Sequence, residues 1–173
     1  ADGAFPVPFD ALKARIQFEV HATGERFSAA GFRVSLIRQA STHGSFGYRF
    51  EQPGRAVVYS TDAEHSAEEM EMESEFAAFF DRADLVICDT MHSLGDVTGS
   101  LREDAGHSSN VVAVDLCHNA GAQRLALFHH EPRYSDADIQ RMHAETIAYE
   151  ELVRGERPKL EVICAYDGLE LDL

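Results

Sequence analysis

Apolar and polar residues alternate along the first half of the chain with the two-residue period of half-buried strands. The alternation predicts four strands, over residues 14–20, 32–37, 46–50 and 56–60. Because the segment Gln52-Pro-Gly-Arg55 carries the Pro-Gly pair of a tight turn, we expect the last two strands to form a hairpin. The first half is therefore predicted to be a run of strands joined by short turns.

Short apolar runs alternate with longer segments along the second half of the chain. The runs predict strands over 84–88, 124–128, 159–165 and 168–173, and the longer segments predict helices over 66–82, 109–119 and 135–153. The helix starts carry capping signals, namely Ser66 with Glu69, the segment His107-Ser108-Ser109 and the segment Ser135-Asp-Ala-Asp138. This order predicts an α/β fold, a mixed β-sheet with helices on one face. No linker divides the chain, so we expect a single domain over residues 1–173.

Titratable residues follow the predicted strands at the points where those strands end. They are Asp62, His65, Asp89, His92, His107, His129 and His130. Sites of α/β proteins form where strand ends meet, and carboxylates and imidazoles are ligands that zinc, iron and manganese accept. The pattern therefore favours a metal site, with the adjacent His129 and His130 as its strongest signal. Spacing alone does not bring these groups together, and a structural role at the sheet edge stays open for each of them.

The chain is acidic, with fifteen Lys and Arg against thirty Asp and Glu and a formal charge of -15. Such a surface repels nucleic-acid backbones and anionic lipids, which argues against long nucleic acid or a membrane as a partner. A local cationic site or a bound metal would still admit an anionic substrate.

The cysteines and the apolar segments indicate where the protein works. Cys88, Cys117 and Cys164 are far apart and lack CxxC spacing, as expected of buried thiols in a reducing compartment. No apolar stretch approaches the roughly 20 residues of a membrane span, and the first residues lack the basic and apolar regions of a signal peptide. These features predict a cytoplasmic protein.

Five motifs occur in an order that resembles the C-terminal half of a metallo-β-lactamase-fold hydrolase, in the ribonuclease Z and phosphodiesterase branch. They are Gly47-Tyr-Arg-Phe50, the segment 57–65 that ends in Asp62-Ala-Glu-His65, the segment 83–89, Gly106-His-Ser-Ser109, and the segment 125–134. The resemblance runs from about residue 5 to the end of the chain. It implies half of an αββα sandwich and a divalent metal, with zinc as the first choice and manganese or iron as alternatives.

The resemblance also implies roles for individual residues. Asp62 falls on the Asp that bridges two metals in that family, and His129 falls on the last His ligand. His107 falls on the His of a His-Ser-Thr motif that assists proton transfer near the leaving group. His65 and His130 match His positions of the phosphodiesterase-like members that support the ligands. We therefore take His107 and His65 as candidate catalytic residues.

Two departures from the family pattern limit what this chain holds. The family's main metal motif, His-x-His-x-Asp-His, is absent from the sequence. A third His ligand would fall on Ser41, so His43 completes the candidate metal ligands only through a shift of its loop. The chain is then one half of an enzyme completed by another segment or polypeptide, a relative that has lost catalysis, or a protein that pairs with itself.

The preferred function is a metal-dependent hydrolase of a small phosphodiester-type substrate, with this chain supplying the second half of a dinuclear site. The alternative is a catalytically degenerate binding or sensor domain of the same fold. In the family's sandwich one face of this sheet packs on the other half. That face would expose an apolar patch here, formed by Phe32, Val34, Leu36, Phe46, Tyr48 and Val57. We therefore predict an obligate partner, either the N-terminal half or a second subunit in a homo-oligomer.

Overall fold

Seven strands form one mixed sheet in the structure, a computed structural model that describes residues 11–41, 44–65, 75–93 and 108–173. The strands are β1 (Arg26–Ala29), β2 (Phe32–Gln39), β3 (Ser45–Gln52), β4 (Arg55–Ser60), β5 (Leu85–Asp89), β6 (Arg124–Phe128) and β7 (Glu161–Cys164). The helices of the described residues are α1 (Glu75–Phe80), α2 (Asn110–Ala120) and α3 (Asp136–Val153). The mixed α/β sheet predicted from the sequence is confirmed.

The strands lie in the sheet in the order in which they occur in the chain. Neighbours from β1 to β4 are antiparallel, and neighbours from β4 to β7 are parallel. The chain direction therefore places the carboxyl ends of β2, β4, β5, β6 and β7 at one edge of the sheet. Any site built from the residues that follow these strands has to form at that edge.

Helix ends follow the capping signals of the sequence. The hydroxyl of Ser109 accepts a hydrogen bond from the Val112 amide, and Gly121 ends α2 in left-handed backbone. Ser135 and Asp138 form a reciprocal capping box at the start of α3. The predicted helix over 66–82 is described only from Glu75, so its capping signal at Ser66 lies outside the described residues.

One face of the sheet forms the main hydrophobic core beneath the helices. Val58, Val86 and Leu125 stand side by side on β4, β5 and β6 and are fully buried. Each helix contributes one large, fully buried side chain to the same cluster: Phe80, Leu116 and Met142. Within the described ranges, no helix has both the length and the apolarity needed to cross a membrane.

The opposite face of the sheet is also apolar, as predicted for the face that packs on another half. The register pairs Val34 with Phe50 and Leu36 with Tyr48, so these side chains share that face. Val34 and Leu36 are 1% and 7% exposed, so the predicted exposure of these two side chains is wrong. Three other apolar side chains of the face retain more than a third of their surface: Phe32 at 36%, Phe128 at 38% and Phe46 at 45%.

Two predicted strands are wrong, and one strand was missed. Residues 14–20 form no strand, and Phe18 and Val20 are 75% and 94% exposed. The alternation there describes an extended chain, but a strand needs a hydrogen-bonding neighbour. Residues 168–173 also form no strand. The missed strand β1 has only one apolar side chain of any size, Phe27, and owes its place to the turn at Ala30 and Gly31, both with positive φ.

Gly47 lets a side chain of β2 cross over β3. Gln39 lies on β2 and Ser60 on β4, yet the Gln39 amide donates a hydrogen bond to the Ser60 hydroxyl. A Cβ atom on Gly47 would lie 3.1 Å from Nε2 of Gln39 and 3.2 Å from Cγ2 of Ile37, closer than ordinary contacts. The lack of a side chain at Gly47 therefore allows the buried contact between Gln39 and Ser60.

We expect Gly47→Ala to destabilise the fold by about 1–3 kcal/mol, since it overpacks this crossing. In a Gln39→Ala background the same substitution should cost less, because the closest contact is gone. Chemical denaturation of the four proteins measures both costs. Equal costs in the two backgrounds would show that Gln39 does not cross over Gly47.

Glu150 is a buried carboxylate that joins α3 to the segment before β7. Its side chain is 1% exposed and accepts hydrogen bonds from the Arg154 guanidinium at 2.6 and 3.0 Å and from the Leu160 amide at 3.0 Å. The hydrogen bonds from Arg154, helped by the Leu160 amide, hold the pKa of Glu150 below its ordinary value of 4.5 despite burial. Glu150 is therefore ionised in the folded chain.

Glu150→Gln should lower the free energy of unfolding at pH 7 by about 2 kcal/mol, because an amide donor replaces a carboxylate oxygen beside Arg154. The lowered pKa means that the folded chain binds fewer protons than the unfolded chain below about pH 4.5, so the contribution of Glu150 is lost as the pH falls through its folded-state pKa. Denaturation curves between pH 3 and 7 test this, with Glu151→Gln on the exposed side of α3 as the matched control. The idea fails if both variants lose the same stability.

Candidate metal centre

Asp62 and His129 meet at the edge of the sheet where the parallel strands end. Asp62 follows β4 by two residues, and His129 directly follows β6. Oδ1 of Asp62 lies 3.5 Å from Nδ1 of His129, and the two side chains are 57% and 31% exposed. The structure thus brings together, at an accessible position, two residues that the sequence predicted as metal ligands.

Both residues have left-handed backbone, which is uncommon outside glycine. Asp62 has φ 55° and His129 has φ 56°, and the described part of the chain has only two other such residues, Ala30 and Arg82. Non-glycine residues in this region are strained and collect at functional sites. The backbone conformation turns each chain sharply at its strand end, where the two side chains meet.

Strand β5 lies between the strands that precede Asp62 and His129, and the residue after it, Thr90, fixes the turn at His129. The Thr90 amide and hydroxyl both donate to the Phe128 carbonyl, at 3.0 and 3.2 Å. Asp89 is fully buried and accepts a hydrogen bond from the Met91 amide at 3.2 Å. Asp89 was predicted to lie at a strand end but is not among the candidate metal ligands, because no spacing signal in the sequence distinguishes it.

His65 lies in a buried hydrogen-bonded network behind the Asp62 loop. Its Nε2 atom is 2.9 Å from the Ser60 hydroxyl, and its ring packs edge-on against Phe76 and Phe80. His65 is 6% exposed and therefore buried. This position suits support of the loop, and the predicted catalytic role of His65 stays a prediction.

His107 and His43 lie outside the described residues, but their neighbours tie three loops together. The Ser108 hydroxyl donates to the Ala63 carbonyl at 2.8 Å and accepts from the His65 amide at 3.0 Å. The Glu64 amide donates to the Ala40 carbonyl at 3.0 Å. Ser108 and Ala40 are thereby fastened to the loop that carries Asp62.

His130 points toward β7 rather than toward Asp62. Its Nε2 atom lies 3.3 Å from the Ala165 carbonyl and 3.7 Å from the Cys164 sulfur. Burial raises the pKa of the Cys164 thiol, so this cysteine is a neutral neighbour of the ring. Arg133 is 83% exposed and lies 3.8 Å from Glu131. These contacts fit His130 as a supporting residue.

Asp62 and His129 fit a divalent metal as part of a ligand set. A carboxylate oxygen and an imidazole nitrogen suit zinc, manganese and iron. Within the ranges that the structure describes, no group of three or more His, Cys, Asp or Glu residues could hold a metal ion. Since structural and catalytic zinc ions take at least three protein ligands, a zinc ion at this pair needs further ligands from residues outside those ranges or from another chain.

Comparison with known proteins shows the family of this chain. The family model described as the beta-lactamase superfamily domain matches residues 4–130. The ribonuclease Z of Picrophilus torridus is 25% identical over 134 residues, which cover 71% of this chain and 40% of that protein. The ribonuclease Z of Brevibacillus brevis is 33% identical over 87 residues, which cover 50% of this chain and 24% of that protein.

A solved structure shows the same fold. The metallo-beta-lactamase fold protein YhfI from Bacillus subtilis superposes with a TM-score of 0.65 at 20% identity, over 87% of this chain and 54% of that one. The chain thus spans less than half the length of the curated relatives and about half of the solved protein. From the family match and the shared fold, the chain belongs to the metallo-β-lactamase-fold branch of the beta-lactamase superfamily, on the side of its ribonuclease Z and phosphodiesterase-like members.

Proposed function

We propose that the protein is a metal-dependent hydrolase of phosphodiesters, and that this chain supplies the second half of a dinuclear site. The observation that carries the proposal is the contact between Asp62 and His129, two strained residues that meet at the carboxyl edge of a metallo-β-lactamase-fold sheet. The curated relatives are ribonucleases, which break phosphodiester bonds. A small phosphodiester is the proposed substrate, because the charge of -15 opposes long nucleic acid over most of the surface.

Each residue of the proposed site has a distinct task. Asp62 and His129 would hold the metal, for which we propose zinc, and the bound metal would polarise a phosphoryl oxygen and activate water. His107 would give a proton to the leaving oxygen, as its motif implies. His65 would hold the Asp62 loop through Ser60 and Ser108. Because three free thiols suit a reducing compartment, we also propose that the protein is cytoplasmic.

A binding or sensor domain without catalysis is the second candidate function. It is favoured by the absence of the His-x-His-x-Asp-His motif and by the small number of ligands gathered in the described residues. The two functions share the metal ligands but differ in turnover. Hydrolysis of bis-p-nitrophenyl phosphate by the zinc- or manganese-loaded protein supports the hydrolase, and stable metal binding without turnover supports the sensor.

Asp62→Ala and His129→Ala should each weaken zinc binding by more than about 100-fold, because each removes a direct ligand. The measurements are metal content per chain by inductively coupled plasma mass spectrometry, after purification without chelator, and zinc titration calorimetry. Asp136→Ala, an exposed aspartate at the start of α3, is the matched control and should bind as the unaltered chain does. Unchanged metal content in both site variants would show that the assigned ligands are wrong.

We further propose that the N-terminal half of the same fold covers the apolar sheet face. The chain spans 54% of the YhfI chain, and the face still exposes Phe32, Phe46 and Phe128. Apolar patches of this kind mark interfaces. The same half would bring the ligands that Asp62 and His129 need.

Without that half, the exposed face should make the chain self-associate. Phe46→Lys should shift it toward the monomer, because burying a lysine in such an interface is unfavourable. Light scattering coupled to size-exclusion chromatography measures the mass across a concentration series. Leu152→Lys is the control, since Leu152 is 80% exposed on α3, away from the sheet. A monomer at all concentrations would contradict the partner proposal and leave the metal assignment standing.

A further inference from the structure

Arginines gather at the edge of the sheet opposite to the candidate metal centre. A cleft of about 700 Å³ opens there between the β3–β4 turn and the end of α1. Its charged lining consists of four arginines, Arg33, Arg49, Arg55 and Arg82, and three acids, Glu51, Asp81 and Asp84. In a chain with twice as many acids as bases, this local excess of positive charge is unusual.

A second cavity continues the same positive edge. It has a volume of about 540 Å³ and shares Arg55 and Asp84 with the first. It adds Arg124, Arg157 and Lys159, against one further acid, Glu161. Seven of the chain's fifteen bases therefore line the two cavities, compared with four of its thirty acids. We call the two cavities together the basic cleft.

The acids of the basic cleft pair with only some of the N–H donors that its arginines offer. Glu51 accepts from Nε of Arg33 at 3.0 Å and from Nε of Arg49 at 3.2 Å. Partial burial opposes ionisation of Glu51, but the hydrogen bonds from Arg33 and Arg49 outweigh it and hold its pKa below the ordinary value. Each guanidinium carries five N–H donors, and the ion pairs with Glu51 and Asp81 use one donor of Arg33 and one of Arg82.

The arginines differ in how firmly the protein holds them. Arg49 is 14% exposed, and its guanidinium also donates to the Phe79 carbonyl at 2.9 Å, so it is part of the wall. Arg33 and Arg82 are 62% and 83% exposed and can turn toward a ligand. Arg82 also has left-handed backbone, with φ 46°, like the two residues of the metal centre. The cleft therefore has a fixed wall and a rim of exposed cations.

The row of cations is longer than one phosphate group needs. Arg33, Arg49 and Arg55 stand on the neighbouring strands β2, β3 and β4, which lie about 4.8 Å apart, and Arg124 stands on β6, two strands beyond β4. Arginine forks match phosphate oxygens in pairs, and each cavity has the volume of a small-molecule site. We propose that the basic cleft binds a chain of phosphate groups of the size of pyrophosphate or a nucleoside triphosphate.

The basic cleft is separate from the candidate metal centre. Arg55 begins β4 and Asp62 follows its end, and the six residues of this strand, at about 3.3 Å each, separate the two by roughly 20 Å. A small phosphodiester at Asp62 and His129 cannot also reach Arg33. The ligand of the cleft is thus a second molecule, and its binding does not depend on metal.

The test is titration calorimetry of pyrophosphate into the metal-free chain at low ionic strength. Arg33→Gln and Arg82→Gln should each weaken binding about tenfold, the effect of losing a charged hydrogen bond. Arg141→Gln is the matched control, because Arg141 is 63% exposed and paired with Asp138 on α3, outside the cleft. Arg33→Lys should restore part of the affinity, since it keeps the charge.

Further measurements separate the sources of the phosphate chain. ATP that binds as tightly as pyrophosphate, or more tightly, and competes with it supports the proposal, as does unchanged pyrophosphate binding in Asp62→Ala. No binding of pyrophosphate at millimolar concentration would overturn the proposal. It would also be overturned if the Arg33→Gln and Arg82→Gln variants bound pyrophosphate as tightly as the unaltered chain does. Binding of a ten-nucleotide RNA that pyrophosphate does not displace would assign the cleft to nucleic acid instead.

Discussion

The candidate centre depends on the register of three parallel strands. Ser60 on β4 lies beside Cys88 on β5, and Asp89 lies beside Phe128 on β6. This register makes the strands leave the sheet together, so that the residues after β4 and β6 come within hydrogen-bonding reach of one another. A slip of one residue would turn every side chain of a strand to the other face. The packing of Val58, Val86 and Leu125 beneath the helices resists that slip, and so the core protects the site.

A series of buried contacts connects the sheet to the loop that carries Asp62. Gly47 allows Gln39 to reach Ser60, Ser60 contacts His65, and the His65 amide is held by Ser108. These groups are buried, and buried polar groups need partners. The loop after β4 is therefore fixed from behind by hydrogen bonds, while Asp62 itself stays accessible. Hydrogen bonds that hold the loop from behind would orient Asp62 in the proposed metal site, as outer-shell partners do in known metal sites.

The sheet divides its surfaces by chemistry. Under the helices its central strands are apolar, whereas its outer strands carry Arg33, Arg49 and Glu51 on the same side. The opposite face is apolar across most strands. One edge of the sheet carries a carboxylate and an imidazole, Asp62 and His129, and the other edge carries the guanidinium groups of the basic cleft. The sheet thereby offers separate surfaces for the proposed interface, the proposed metal centre and the proposed anion cleft. The length of β4 separates the positive charges from Asp62.

Local patterns in the sequence were sufficient for most elements but not for the sheet as a whole. Strand 124–128 and the helix that Ser135 caps were predicted with their observed bounds, because a buried apolar run and a capping box are local signals. The strand predicted over 14–20 is absent and β1 was missed, because strand formation depends on which segments pair and not on alternation alone. The family resemblance named Asp62 and His129 in advance, but their roles as ligands rest on proposals.

The sequence by itself determined the class of fold, the family and the residues that follow each strand, since periodicity, caps and motifs are written in consecutive positions. Only the tertiary structure decided which of those residues meet. It brought Asp62 and His129 together and buried His65 behind them, although Asp62 and His129 are 67 positions apart in the sequence. It also gathered Arg33, Arg55 and Arg124 from three distant strands into one cleft. The physical reason is that hydrogen-bonded register and packing act between segments far apart in the chain, where no local pattern records them.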